Sequence, residues 1–254
     1  AALGFTSAAV TVGAVMVVVL WWLAGRYLAR GPAEMGLAPD GDAVAVTRGT
    51  HLAPPSLPGR MLLRDWRFAT LAAATALGLI AQIGLIAHLF SLLVPALGAT
   101  GAGAAMGLAT VCAIAGRTLL GWLLPPGADR RLAAAGNYAV QIVGSLVLLA
   151  AAGEQQILLL LGVALFGLGL GNATSLPPLI AQRDFTAADT ARAVALVTAF
   201  SQAAYAFAPA VFGAIRDLTA NAGSPGSAPL FFVVTALVQL AAAVVVTAGR
   251  FRPA

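Results

Sequence analysis

"GRTLLGWLLPPGADRR", residues 116–131, begins as an apolar helix and ends in a cluster of charge. The pair Pro125–Pro126 stops the helix, because proline lacks the amide donor and its ring clashes with the preceding turn. Asp129 follows where its carboxylate can cap the next apolar run and face that run's positive end. Arg130 and Arg131 then hold that end in a polar layer. The stretch reads as the place where one apolar helix leaves a membrane and the next enters it, and it needs no chemistry to explain it.

The rest of the chain agrees. Of 254 residues, 60% are hydrophobic and 9% charged, and the mean hydropathy is +0.93. An ordinary soluble domain carries about 25% charge, so this chain lacks the polar surface for water. The net charge of +5 comes from arginines alone, as there is no lysine. Such a charge can signal nucleic acid, but these arginines sit between apolar runs, which excludes that partner. The single Cys112 leaves no disulfide or cysteine-rich metal site within the chain. The opening "AALGFTSAAV" carries no Met, and its apolar run exceeds the roughly 7–15 residues of a signal-peptide core. The expectation is a piece of a longer gene product.

A membrane helix needs about 20 mostly apolar residues. Seven stretches meet that length: 2–25, 67–94, 101–124, 133–152, 157–180, 191–215 and 229–248. None alternates with period two, so strands are not expected. The fold class is therefore an all-α polytopic membrane protein with seven transmembrane helices. Residues 26–66, rich in Arg, Pro and acids, form a polar linker outside the membrane.

Short cytoplasmic loops carry an excess of Arg and Lys. Arg26, Arg30, Arg48, Arg60, Arg64 and Arg67 fall between the first two spans. Arg117, Arg130 and Arg131 cluster around the end of the third, Arg183 and Arg192 around the turn after the fifth, and Arg250 and Arg252 after the last. If each span crosses once, these all share one side, and only Arg216 lies on the other. The pattern predicts an outside N-terminus and a cytoplasmic C-terminus.

Gly116, Arg117, Gly121, Leu123, Asp129 and Arg130 resemble the repeated loop signature of the major facilitator superfamily, a Gly–Arg pair followed by a D-R-x-G-R-R segment. The Pro125–Pro126 insertion and the missing second Gly–Arg pair depart from it. "ARGPAEMGLAPDGD", 29–42, is similar to the start of the central cytoplasmic linker of many bacterial members, and "GAIRDLTANAG", 213–223, to the exit of their eleventh helix. The resemblance implies that 1–25 is a helix of the N-terminal half, 26–66 the central linker, and 67–254 the six-helix C-terminal half. It also implies a secondary transporter in a bacterial inner membrane, working by alternating access against its N-terminal half. The monocarboxylate and oxalate–formate branch is preferred.

Polar residues within spans are costly unless they face a cavity or a partner. Gln82, His88, Arg117, Asn172, Gln202 and Tyr205 are accordingly the candidates for substrate contact, with hydrogen bonding between helices as the plainer role. Asn137 and Gln141 form an i,i+4 pair on one face, and Ser201 and Tyr205 share another. Arg117 is read first as part of the gate with Gly116, Gly121, Asp129 and Arg130; the resemblance also admits it as the partner of a substrate carboxylate, which a guanidinium can grip with two parallel bonds. Gly167 and Gly171, and likewise Gly103 and Gly107, are read as small-residue packing faces. Pro177, Pro178 and Pro209 are expected to kink or break helices.

No span contains a carboxylate, no nucleophile has a visible base, and no metal motif occurs, so the chain is not expected to be an enzyme or to hold a metal or cofactor. A retinal photoreceptor would need a lysine in the last helix. The expectation is a carrier for a small solute, an organic anion by preference, with protons as the coupling ion if one is used. Multidrug or lipophilic-compound efflux and a non-transporting structural subunit are the alternatives.

Overall fold

The computed structural model describes residues 5–28, 59–125, 127–219 and 227–251. The linker motif at 29–42 and most of 26–66 lie outside the described residues. By internal contacts the chain divides into two units, Ala1–Ala53 and Pro54–Ala254.

In the first unit, α1 (Phe5–Leu23) runs into a π-helical turn, Ala24–Leu28. Its residues from Val10 onward are exposed within that unit, as expected of an apolar helix whose surroundings are other apolar groups rather than water.

The second unit holds α2 (Gly59–Arg64), α3 (Trp66–Leu123), α4 (Arg130–Ala150), α5 (Gln156–Leu170), α6 (Leu176–Asp184), α7 (Ala187–Thr219) and α8 (Pro229–Ala248). Four of these, α3, α4, α7 and α8, are long and apolar enough to cross a membrane.

The 58 residues of α3 would extend about 87 Å as one straight helix, far beyond the ~30 Å of a hydrocarbon core. They do not run straight. Gly98 has φ 67° and ψ 171°, a conformation open to glycine and hostile to side chains, and Pro95 precedes it by three positions. The limb 66–97 and the limb 99–123 are therefore two helices joined at a sharp turn.

The hydrogen bonds fix their directions. Trp66 Nε1 donates to Ala248 O at 3.0 Å and Tyr138 Oη to Ala74 O at 3.2 Å, so the first limb runs against α8 and alongside α4. Gln156 Nε2 donates to Ala96 O at 2.8 Å, and Gly171 is packed on Ala113, so the second limb runs alongside α5 and against the first. The unit is a bundle whose chain passes back and forth. Of its described arginines, all but Arg216 lie toward one end, where α3, α4 and α7 begin and α6 and α8 finish. This is called the arginine end below.

The reading of 157–180 as one continuous span is corrected. The helix stops at Leu170 and resumes at Leu176. Across the gap, Asn172 N donates to Gly169 O at 3.3 Å and Ser175 N to Asn172 O at 3.2 Å, a tightened turn. Pro177 and Pro178 fall in the first turn of α6, where their missing amides cost little. Pro209, by contrast, does not break its helix: α7 continues through it.

Helix packing uses glycine unevenly. A Cβ on Gly116 or Gly171 would overlap the backbone of Leu168 or Ala113, and one on Gly167 would lie 2.7 Å from Ala109 O. The second limb of α3 and α5 thus touch backbone to backbone. Gly103 and Gly107 have open space before them; Ala102, Ala105 and Ala109 are the buried residues there. The expected packing face at 103 and 107 is corrected: these glycines sit on the outward side of the same helix.

Two apolar clusters fill the bundle. One, around Phe68, Leu71, Tyr138, Ile180 and Val197, lies toward the arginine end. The other, around Leu85, Leu89, Phe166, Phe212 and Phe231, lies toward the far end, with the rings of Phe212 and Phe231 edge to face at 5.2 Å.

Candidate functional site

The polar groups of the second unit gather in three places: the arginine end, a knot where α5 stops, and a seam between α4 and α8.

At the arginine end, Asp129 caps α4. Its Oδ1 accepts from the amides of Arg131 at 2.9 Å and Leu132 at 3.3 Å, and its Oδ2 accepts from Arg250 Nε at 2.7 Å. Partial burial alone would raise the Asp129 pKa, but the Arg250 hydrogen bond and the two amides outweigh it and hold it below the usual value of 3.8.

Arg131 is buried to 3% exposure, and all three of its side-chain nitrogens donate hydrogen bonds. Nε donates to Asp184 Oδ2 at 2.9 Å, and Nη2 lies 2.8 Å from the same oxygen. Nη1 donates to Thr70 Oγ1 at 3.1 Å and Val246 O at 3.0 Å, and Nη2 also donates to Arg67 O at 2.7 Å. One side chain thereby ties together α3, α4, α6 and α8. Such a charge is tolerated under burial only when it is paired and hydrogen-bonded, as this one is. The reading that placed Arg131 beside Arg130 as a simple anchor in the polar layer is corrected.

Arg183 Nη1 donates to Gly127 O at 3.0 Å and to Ala128 O, closing the turn before α4. A cavity of about 290 Å³ opens among Arg67, Asp129, Arg130, Arg131, Arg183, Asp184 and Arg250, with Ile180 and Phe251 on its flank.

The knot lies where α5 ends. Arg117 Nε donates to Gly171 O at 2.7 Å, and its Nη2 to Thr174 Oγ1 at 3.1 Å. A cation at a helix C-terminus meets carbonyls that have no intrahelical donor, a contact worth about 0.3–1 kcal/mol. Asn172 Nδ2 donates to Asn137 Oδ1 at 2.9 Å, and Asn137 Nδ2 to Gly169 O at 2.9 Å. Beside them, Gly116, Leu120, Leu123, Val140, Asn137 and Asn172 contribute to a largely apolar cavity of about 360 Å³.

In the seam, Ser145 Oγ donates to Gln239 Oε1 at 3.1 Å, and Gln239 Nε2 to Gln141 Oε1 at 3.3 Å. Asn137 and Gln141 therefore share a helix face but serve different neighbours, α5 and α8.

The remaining candidates are scattered. Gln82, 1% exposed, has no hydrogen-bond partner for either amide atom. His88 Nε2 lies 3.0 Å from Pro209 O, and its ring stands edge to face on Phe231 at 5.8 Å. Gln202 is exposed, as is Tyr205 at 44%, on the outward side of α7. Ser201 is buried and bonded to Val197 O at 2.7 Å, so it does not share the environment of Tyr205. Gly121 is exposed with open space around it, and Arg130 lines the arginine cavity. Among the described residues, no group of three His, Cys, Asp or Glu side chains is placed to hold a metal.

Sequence reasoning missed Arg131, Asp184 and Gln239. A signal for the first was present. Arg131, Ala134, Tyr138, Gln141, Ser145 and Leu148 recur at helical spacings of three and four, and all are buried. Arg130 is off that stripe by one position, about 100° around the helix.

The fold and the polar layer define a multi-pass, largely helical membrane protein, with four apolar helices long enough to span a bilayer. Comparison with protein-family models, with curated proteins and with solved structures found no match.

Proposed function

We propose that the chain belongs to a secondary transporter of the major facilitator type and carries the sixth helix, the central linker and the C-terminal six-helix half. On this reading the unit crosses the membrane six times and α1 once. The arginine end is cytoplasmic, as is the C-terminus, and the membrane is a bacterial inner membrane.

The observation that carries the proposal is the direction of the passes. Arg64, Arg67, Arg117, Arg130, Arg131, Arg183, Arg192 and Arg250 meet at one end, the asymmetry that orients membrane helices. The loop signature and the linker segment of the sequence support the same reading.

The mechanism is alternating access, with this half rocking against the N-terminal half around a site near mid-membrane. Gln82, His88, Gln202 and Tyr205 are the groups for substrate contact, Gln202 and Tyr205 because they are polar and face outward from the unit. Arg117 and Asn172 hold the end of α5. The preference for an organic anion then rests on the likeness to the monocarboxylate branch.

One observation favours lipophilic-compound efflux as a second reading. Beside Gln202 and Tyr205, α7 exposes Phe200 and Phe207 at 50% and 69%, an aromatic surface without fixed charge.

The test is transport by the complete gene product in liposomes, with labelled mono- and dicarboxylates, with and without a pH gradient. Saturable uptake that Gln202→Ala or Tyr205→Ala abolishes in folded protein supports the carrier for acids. Extrusion of lipophilic dyes without acid uptake supports efflux. Folded protein that moves neither overturns the transport reading.

A further inference from the structure

We infer that the cavity at the arginine end is a binding site for the phosphate group of an anionic membrane lipid. The inference rests on the chain's place in a membrane and not on transport.

The first ground is charge. Five guanidinium groups line the cavity and only two carboxylates. Asp184 is taken by Arg131 and Asp129 by Arg250. Arg183 spends its bonds on backbone carbonyls, which leave its charge uncompensated. Arg67 and Arg130 are in no ion pair with a described residue. Three positive charges therefore border a space of about 290 Å³ whose two lining carboxylates are both taken. Asp65, which accepts from the Arg67 amide at 2.8 Å, caps α3 and does not line it. A phosphodiester supplies a negative charge and acceptor oxygens, which suits the guanidinium fork.

The second ground is rigidity. Arg131, at 4% side-chain exposure, lines the cavity, and its bonds from α4 to three other helices fix that side of it. The N-terminus of α4 lies at the same place, but its amides at Arg131 and Leu132 are already held by Asp129, so the guanidinium groups carry the charge that faces the cavity. One side of the cavity is thus fixed by the bundle, while Arg67 and Arg130 are half-buried and Arg183 is exposed.

The third ground separates a lipid from a free phosphate ion. The cavity sits where the apolar helices stop: α8 ends at Ala248 and α3 begins at Trp66. Trp66 is 44% exposed, with its indole N–H bonded to Ala248 O, the amphipathic placement typical of the headgroup level. Phe251, 68% exposed, and Ile180 give the cavity an apolar flank. A headgroup entering here keeps its chains against the apolar bundle, which a free ion cannot do.

The test is native mass spectrometry of the full chain, released from detergent after exposure to phosphatidylglycerol, phosphatidylcholine, or inorganic phosphate with glycerol 3-phosphate. Wild type should retain phosphatidylglycerol in preference to phosphatidylcholine and neither soluble phosphate. Arg67→Gln and Arg130→Gln should each weaken retention about fivefold, the worth of one arginine near an anionic surface. Arg216→Gln, at the far end, should leave it unchanged.

Equal retention of both lipids by wild type would overturn the inference even if no variant folded. Binding of the soluble phosphates without lipid preference would overturn the lipid assignment. Equal loss from Arg216→Gln would reduce the effect to overall charge and overturn the site.

Discussion

Arg131 Nη2 lies 2.8 Å from Asp184 Oδ2, and this pair joins the start of α4 to the end of α6, 53 positions apart in sequence. The two residues sit on either side of the broken span, so the contact fixes where the chain returns after Gly171–Ser175. Replacing such a buried pair by apolar groups is often neutral, but removing one partner leaves the other charge stranded.

Asp184→Ala should therefore lower stability by about 3 kcal/mol, at the lower end for a broken buried pair because Asp184 is 13% exposed. Arg131→Lys should destabilise too, since an ammonium has three donors and no fork. Thermal unfolding in detergent checks both. A double variant, Arg131→Met with Asp184→Leu, should recover part of the loss, which distinguishes a stranded charge from simple loss of packing.

Gly249→Ala should mimic the loss of that network without touching a charge. The added Cβ would overlap Arg131 Nη1 and Thr70 Oγ1, displacing the guanidinium from its carbonyls. Its backbone has φ −67°, so the effect would come from space alone. An unchanged melting temperature would show that the arginine can shift at no cost.

The glycines of α3 and α5 should divide sharply. Gly116→Ala and Gly171→Ala force the two helices apart at the backbone, and overpacking of this kind costs about 1–3 kcal/mol. Gly103→Ala and Gly107→Ala meet open space and gain helix propensity, up to about 1 kcal/mol each. Unfolding midpoints of the four variants give the answer.

Asp129 should make stability pH-dependent on the acid side. Its pKa is held below 3.8 in the folded chain, so the unfolded chain takes up the proton first as pH falls. The stabilisation is complete above pH 3.8 and is lost as pH drops through the lower folded value. Wild type should exceed Asp129→Asn in melting temperature at neutral pH, and the gap should close in acid. A gap constant down to the lowest pH would contradict the assignment.

Gln82→Leu should be neutral or stabilising. Both amide atoms are buried without a hydrogen-bond partner, and a buried unsatisfied polar group costs about 1–3 kcal/mol. A large loss of stability would mean that the amide serves a partner in the folded protein. Loss of transport with stability retained would place it at the substrate.

The sequence carried the helical class, the apolar runs and the one-ended arginines, because these follow from hydropathy and from length against bilayer thickness. The capping position of Asp129 was legible too, since the proline pair fixes where α4 begins. What was not legible depends on contacts between distant segments. Arg130 and Arg131 are the same residue type one position apart, yet one lines a cavity and the other is buried, a difference set by which stripe of α4 meets α8. The break after Leu170 was hidden within an apolar run, where Asn172 and the proline pair were the cues. Gly103 and Gly107 resemble Gly167 and Gly171 in spacing, and only the neighbouring helix distinguishes them.

The antiparallel bundle with its arginines at one membrane face can be tested by sidedness. Cys112 is the sole cysteine of this sequence, so a background with Cys112→Ala and any cysteine outside these residues replaced permits single reporters at Ala188→Cys, at the arginine end, and Gln155→Cys, at the far end, both exposed. A membrane-impermeant maleimide applied to intact cells should label Gln155→Cys and spare Ala188→Cys until the membrane is opened. Labelling of both positions from the same side would contradict the bundle's orientation and, with it, the proposed carrier.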